Sequence, residues 1–422
     1  MSSKNIFLFD KNKCVACGAC KVACVTENGM QQPEQWRNIY SSNSNHLAEK
    51  ALVHLSLACN HCEDSPCLVN CPANAYYRDE ITGAVLHDKE KCIGCKYCTW
   101  TCPYDAPKYN PQEGIVNKCT FCADRVRENA KPACASLCPT GALDFTCTEF
   151  SREESEKSSP VQINVGSKIK VTELRNDKAP EMDRNLFTKQ IKEENSGSKK
   201  ITAKHEWPLV IFTFLISVIV GIILNKIDLI QSFEMKFSLF TAGALSSLLS
   251  MLHLGKKIRS WRSLLNIKNS WISREIWALS LFMGSLFTDF FITDIPDLII
   301  TFSSVLLIIS IDMLYTKAMW SWKSKIHHGQ TIFIAGGLAV LLSGNFLLIV
   351  ILYGVRLFFA VYRNYQTIES KYVIVEYFLA FTGFALIQLY GLWAGIACII
   401  VSDILARIDF YNDLSLPKIE VK

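Results

Sequence analysis

Cys92-Ile93-Gly94-Cys95-Lys96-Tyr97-Cys98-Thr99-Trp100-Thr101-Cys102-Pro103 places four thiols in a run spaced C-x2-C-x2-C-x3-C and ended by proline. The same spacing recurs at Cys14, Cys17, Cys20 and Cys24. Two looser versions complete the set. Cys59, Cys62, Cys67 and Cys71, followed by Pro72, have one gap widened. Cys119, Cys122, Cys134 and Cys138, followed by Pro139, carry eleven residues between the second and third thiol. Sixteen of the 18 cysteines therefore form four quartets, and Cys147 and Cys398 stand outside them.

Three closely spaced thiolates can wrap one face of an iron–sulfur cubane, while the fourth is carried onward to a second cluster, as in two-cluster bacterial ferredoxins. A proline after the last thiol turns the chain away and cannot continue a helix. Soft thiolates also suit zinc, but zinc sites use paired C-x2-C units and often histidine. A disulfide framework belongs to small secreted domains. Sixteen thiolates match four [4Fe-4S] clusters with none left over. The expected fold is an α+β four-cluster ferredoxin-like domain over residues 1–147, two pseudo-repeated two-cluster units. An all-α polytopic membrane bundle of about eight helices follows.

The averages over 422 residues, 50% hydrophobic and 20% charged with net charge +5, conceal these two halves. They exclude a single ordinary soluble domain, and the charge is too modest and too loop-bound for nucleic acid. Residues 148–204 are polar and charge-dense, as in Arg152, Glu153, Glu154, Glu156 and Lys157, and read as a linker or partner-docking extension. Within them, residues 161–165 alternate like a short strand. From 205 to 411, runs near the roughly 20 residues of a membrane span lie at 207–225, 236–254, 274–293, 297–315, 327–343, 345–362, 371–390 and 392–410. Gly344-Asn345 and Gly391 divide two stretches too long for one span each. Residues 412–422 form a tail. Met1 to Asp10 lacks a charged start, an apolar core or an Arg-Arg pair, so no signal peptide is expected.

Ionisable residues inside spans are costly and default to functional hypotheses. His253, Asp312, Arg356, Glu376, Asp403 and Arg407 all lean toward the face expected to carry the first domain. A quinol needs partners for two oxygens and bases for two protons. His253 suits one oxygen, because its ordinary pKa favours proton transfer near neutrality. Asp312 and Glu376 are candidate proton acceptors and Arg356 a charge partner. The alternative is that Arg356, Glu376, Asp403 and Arg407 pair structurally or snorkel to the interface. Haem is not expected, because only His253 lies clearly inside a span, with His205, His327 and His328 at ends. Loops on the first-domain face carry eleven basic residues against two opposite, Lys226 and Lys236. The positive-inside rule then puts the ferredoxin domain in the cytoplasm of a multi-pass inner-membrane protein. An extracytoplasmic placement is the alternative.

Residues 1–147 resemble the four-cluster ferredoxin subunit of the molybdopterin oxidoreductase superfamily, the dimethyl sulfoxide reductase group especially. The resemblance rests on Phe9-Asp10-Lys11-Asn12-Lys13-Cys14-Val15-Ala16-Cys17, Cys59-Asn60-His61-Cys62 and Lys118-Cys119-Thr120-Phe121-Cys122-Ala123-Asp124-Arg125. The second half resembles that group's anchor subunit at His205-Glu206-Trp207-Pro208-Leu209, Ser250-Met251-Leu252-His253-Leu254-Gly255 and Ser402-Asp403-Ile404-Leu405-Ala406-Arg407, with Asp403 where relatives can have Glu. It implies a nested pairing: Cys14, Cys17 and Cys20 with Cys138; Cys119, Cys122 and Cys134 with Cys24; Cys59, Cys62 and Cys67 with Cys102; Cys92, Cys95 and Cys98 with Cys71. It also points to His253 as a quinol ligand. The expected function is an electron relay without catalytic residues of its own. It takes electrons from menaquinol or another quinol in the lipid to a separate molybdopterin subunit that reduces dimethyl sulfoxide or a similar oxide. The same parts could serve polysulfide, thiosulfate or tetrathionate, or run in reverse to quinone. A membrane-tethered redox sensor or assembly module is the rival from another class.

Overall fold

The computed structural model describes residues 3–31, 34–41, 52–158, 164–173, 202–225, 232–318, 327, 329–367 and 373–412. The chain divides into two compact units between residues 200 and 201.

In the first unit, β1 (Ser3–Asp10) is the middle strand of a three-stranded sheet. It runs antiparallel to β8 (Leu143–Glu149), with Phe7 opposite Phe145, and parallel to β9 (Ile169–Thr172), with Phe7 opposite Ile169. Ile6, Phe7 and Phe9 are buried. The rings of Phe7, Phe121 and Phe145 meet edge-on at 5.2, 5.4 and 5.0 Å. Each such pair adds roughly 0.5–1.5 kcal/mol beyond its buried area. Three hairpins accompany the sheet: β2 (Asn38–Ser41) with β3 (His54–Leu57), β4 (Tyr76–Arg78) with β5 (Val85–His87), and β6 (Lys108–Asn110) with β7 (Ile115–Asn117).

The last two hairpins are equivalent insertions. One joins Cys71-Pro72 to Cys92 and the other Cys102-Pro103 to Cys119. Both close through side-chain-to-backbone turns. Asp79 accepts from the Thr82 amide at 2.9 Å, and Asn110 accepts from the amides of Gln112 and Glu113 at 3.0 and 3.1 Å. Short helices carry the third thiol of each quartet: Cys20 in α1 (Ala19–Glu27), Cys67 in α2 (Pro66–Val69), Cys98 in α3 (Tyr97–Thr101) and Cys134 in α5 (Ala133–Ser136). Between the last two lies α4 (Ala123–Arg127).

Residues 148–173, read from composition as the start of a linker, belong to this folded unit where they are described. β8 runs on to Glu149, Phe150 is buried, and α6 (Arg152–Ser158) follows. The Ser155 hydroxyl donates to the Ser167 carbonyl at 2.8 Å. A strap then passes along the second cysteine loop. Glu63 N donates to Gly166 O, Asp64 N to Val165 O and Lys168 N to Asn60 O. The strand lies at 169–172 and not at 161–165. Asn164 and Val165 are not strand, and 161–163 fall outside the described residues, as do 174–201. Composition missed the strap because a few buried apolar residues, Phe150, Val165 and Ile169, are diluted by charged neighbours.

In the second unit the described residues hold eight helices: α7 (Trp207–Leu224), α8 (Phe233–Ser250), α9 (Trp271–Phe291), α10 (Asp297–Ala318), α11 (Thr331–Leu342), α12 (Phe346–Thr367), α13 (Val373–Tyr390) and α14 (Leu392–Asn412). Trp207–Leu224, Phe233–His253 and Asp297–Ala318 are long and apolar enough to cross a membrane. The two sequence breaks close helical hairpins. Gly344 (φ +69°) and Gly391 (φ +91°) adopt the left-handed backbone that glycine tolerates. Across the second break Gly383 and Gly395 bring their backbones into direct apposition, which any side chain would prevent. At one end of α8 and α9, Lys236 pairs with Asp289 at 2.9 Å and with Asp294 at 2.6 Å.

Candidate metal centres and the buried charges of the helical unit

All eighteen cysteines are free thiols. The charges acting on each thiol identify its neighbours. For Cys14, beyond burial and the Ala16 amide, they are Cys20, Cys138 and Cys17. Burial pushes Cys24 up to about 12, against the pull of Arg37 and with the repulsion of Cys134 and Cys122. Cys62 is raised by burial and then by Cys59, Cys102 and Cys67. Cys98 is raised by burial and then by Cys95, with Cys92 and Cys71 contributing. For these four thiols the neighbouring sulfurs include those that the family resemblance groups with them.

Two of the sets surround cavities. Cys59, Cys62, Cys67 and Cys102 line one, with Pro66, Pro103 and Tyr104 among its walls. Cys71, Cys92, Cys95 and Cys98 line another, with Ile93 and Val116. Among the described residues, no three His, Cys, Asp or Glu side chains form a site for a single metal ion. Thiols standing round a volume suit a cubane, whereas zinc draws sulfurs in to about 2.3 Å from one centre. Metal-bound cysteines are thiolates, so filling these sites displaces protons.

Local backbone shapes each cradle. Gly18 (φ +81°), His61 (+45°), Lys96 (+60°) and Phe121 (+65°) hold left-handed conformations inside or beside the C-x2-C turns. The fourth thiol of three quartets receives a backbone amide from just beyond the proline. Ala75 N donates to Cys71 Sγ at 3.3 Å, Ala106 N to Cys102 Sγ at 3.4 Å and Leu143 N to Cys138 Sγ at 3.3 Å. Cys138, the more exposed of these, is shifted down: burial raises it, but the Leu143 amide and the Thr140 hydroxyl prevail. The sets also neighbour one another. Cys119 faces Cys24 and Cys134 of its own set and Cys59 of the next.

In the helical unit, Arg356 and Arg407 each centre a buried polar group. Arg356 donates to Asp403 at 2.7 Å and lies 3.8 Å from Glu376, with its guanidinium 5.1 Å from the Tyr353 ring. One turn along α14, Arg407 donates to Thr213 Oγ1 and Gly329 O, each at 2.9 Å. The rings of Tyr315, Phe410 and Tyr411 surround its guanidinium at 5.3, 4.4 and 5.1 Å. Asp312 accepts the amides of Thr331 and Ile332, both at 2.9 Å, and so caps the N-terminus of α11. His253 is half-buried in a 3-10 turn after α8, and its Nδ1 donates to the Ser250 carbonyl. His327, assigned from sequence to a span end, is buried 4.0 Å from Asp409. His328 lies outside the described residues. Sequence reasoning missed Tyr315, Tyr411 and Asp409, which carry no motif, it missed Arg37 and Tyr76 in the first unit, and it gave Lys118 no role beyond its place in a motif. For Lys118 a signal existed, its place directly before Cys119.

Thiol quartets, two of the sets gathered round cavities, ahead of an apolar helical unit, define a membrane-anchored iron–sulfur electron-transfer protein. Residues 51–148 match the 4Fe-4S dicluster domain family, and residues 201–408 match the DMSO reductase anchor subunit (DmsC) family. The first unit is 41% identical over 150 residues to the thiosulfate reductase electron transfer subunit PhsB of Salmonella typhi, covering 34% of this chain and 77% of that one. It is 39% identical over 153 residues to the B subunit of the anaerobic dimethyl sulfoxide reductase of Escherichia coli (34% and 74%). It is 36% identical over 160 residues to a formate dehydrogenase iron-sulfur subunit of Wolinella succinogenes (32% and 78%). The protein belongs to the iron–sulfur electron-transfer subunits of the dimethyl sulfoxide reductase family, with that family's anchor subunit fused behind it.

Proposed function

We propose that this protein is the quinol-facing electron relay of a respiratory molybdopterin oxidoreductase complex in the inner membrane. Four [4Fe-4S] clusters would be held by the four nested thiol sets, and the helices of the second unit would cross the membrane about eight times. The observation that carries this reading is the assembly of thiols across the sequence, three from one quartet and one from another. The adjacency of Cys119 to Cys59 supports a single row of four sets. Bound cubanes supply one-electron redox chemistry. The protein buries most of these thiols, holds their geometry, and offers amide hydrogen bonds to three of the fourth sulfurs.

Quinol oxidation is assigned to His253, Asp312, Arg356, Glu376, Asp403 and Arg407. Arg356 holds Asp403 more closely than Glu376, so Glu376 is the first candidate to receive a proton. The electrons would leave for a separate molybdopterin subunit that reduces dimethyl sulfoxide or a similar oxide. The thiosulfate reductase relative supports a sulfur compound as the alternative, and the formate dehydrogenase relative supports reverse flow to quinone. The basic loops favour a cytoplasmic first unit; of them, Lys323, Lys325 and Lys371 lie outside the described residues.

The purified protein should carry about sixteen irons and sixteen sulfides. In vesicles, menaquinol should bleach its visible absorbance, and a quinone-site inhibitor should block that. His253→Ala and Glu376→Gln should slow the reduction while iron content stays constant. Reduction that proceeds unchanged in both variants defeats the quinol-site assignment. Clusters that no quinol reduces favour the sensor or assembly reading.

A further inference from the structure

Two buried cations stand among the thiols with no carboxylate beside them among the described residues. Arg37 is 2% exposed. Its Nη1 donates to the carbonyl and hydroxyl of Ser56 at 3.3 and 3.1 Å, its guanidinium lies 4.9 Å from the Phe7 ring, and its Nε is buried without a partner. The Ser56 hydroxyl lies in turn 3.3 Å from Cys20 Sγ. Lys118 is 3% exposed. Its ammonium donates to Val85 O, to Cys119 O at 3.0 Å and to Cys59 Sγ at 3.7 Å. Among the described residues, neither pairs with an aspartate or glutamate.

A buried charge without a counter-charge is strongly disfavoured. The sulfurs neighbouring Arg37 are those of Cys134, Cys119, Cys20 and Cys24; those neighbouring Lys118 are Cys59, Cys67 and Cys119. A cluster held by these sulfurs as thiolates would supply the missing negative charge. Arg37 thus stands where the Cys14 set meets the Cys119 set, and Lys118 where the Cys119 set meets the Cys59 set. The remaining junction, between the Cys59 and Cys92 sets, is occupied by a neutral group: buried Tyr76, next to Cys98, Cys67 and Cys71.

We propose that Arg37 and Lys118 are junction charges, each raising the reduction potentials of the two clusters it separates. This rests on the four-cluster reading. Reducing a cluster adds one electron, taken from its neighbour in the row, and requires no proton. A positive charge facing both sites favours the electron on either side, so an electron crossing the junction keeps that attraction. Ser56 extends the effect of Arg37 to Cys20, because hydrogen bonds to cluster sulfurs are among the factors that set potentials.

The test is an EPR-monitored redox titration of the full-length, cluster-loaded protein in detergent. Arg37→Met should lower the midpoints of two signals, each by about tenfold in the reduction constant, or about 59 mV for one electron. Lys118→Met should lower two signals, one of them shared with Arg37→Met. One signal should move in neither variant, and Arg37→Lys and Lys118→Arg should stay near the parent values. Unmoved potentials in both methionine variants with full iron overturn the junction charges alone. Charge-keeping variants that shift as far as the methionine ones overturn them too. Fewer than about sixteen irons in the parent protein overturns instead the cluster count. If Arg37→Met fails to hold iron, Lys118→Met and Arg37→Lys decide.

Discussion

Removing the Asp403 carboxylate should destabilise the helical unit more than any surface change there. Arg356 is 1% exposed and Asp403 4%, so Asp403→Ala leaves a guanidinium that water cannot reach. At an effective dielectric of about 20, unit charges at the observed 2.7 Å attract by about 6 kcal/mol, and at the 3.8 Å of Glu376 by about 4 kcal/mol. Desolvation offsets much of both. Losing one partner of a buried pair costs roughly 3–5 kcal/mol. Glu376 remains to take up part of the charge, so Asp403→Ala should fall near 3 kcal/mol and Asp403→Ala with Glu376→Ala near 5 kcal/mol. Replacing all three by hydrocarbon, as Arg356→Met, Asp403→Leu and Glu376→Leu, should stay within about 1 kcal/mol of the parent, because no charge is then left unpaired. The assay is thermal unfolding in a fixed detergent, where 3 kcal/mol corresponds to roughly 6–12 °C for a unit of this size. A single-variant loss below about 1 kcal/mol, or a triple variant as damaged as the single one, would refute a buried, mutually compensating group.

Cys102→Ser should remove the cluster of Cys59, Cys62 and Cys67, so its EPR loss should match that of Cys62→Ser; a match to Cys95→Ser would overturn the nested pairing. Gly166 has φ +60°, and a side chain there would meet Glu63 Cβ at 2.9 Å. Gly166→Ala should therefore cost about 2 kcal/mol and expose the strap to protease, read by melting and limited proteolysis. Asp79 is held below its ordinary 3.8: burial raises it, but the Thr82 hydroxyl and amide and Arg127 prevail. Its contribution is complete above about pH 4 and disappears as pH falls through the folded-state value. Asp79→Asn should thus lower the melting temperature at pH 7 and approach the parent in acid, whereas a deficit independent of pH would mean that the turn does not depend on the carboxylate.

Much of this architecture could be read from local patterns. The thiol quartets are local because a C-x2-C turn needs only a few residues to aim its sulfurs, and Pro72, Pro103 and Pro139 mark where the chain departs. Helix positions in the second half followed from apolar run length. The breaks at Gly344 and Gly391 followed from the one residue that adopts a left-handed backbone without strain. The anchor's charges were less legible. Depth along a span gives the height of a residue but not the direction it faces, and packing placed Asp312 on a helix terminus and Arg356 against Asp403.

By itself, then, the amino-acid order determined the iron–sulfur chemistry, the two-part plan and the approximate helix positions, since each depends on residues close together in the chain. Only tertiary structure brought Arg37 and Lys118 between thiol sets and laid 169–172 beside β1. Such contacts join residues far apart in sequence, and nothing periodic or compositional at either end announces them, because burial and charge balance are properties of the folded interior.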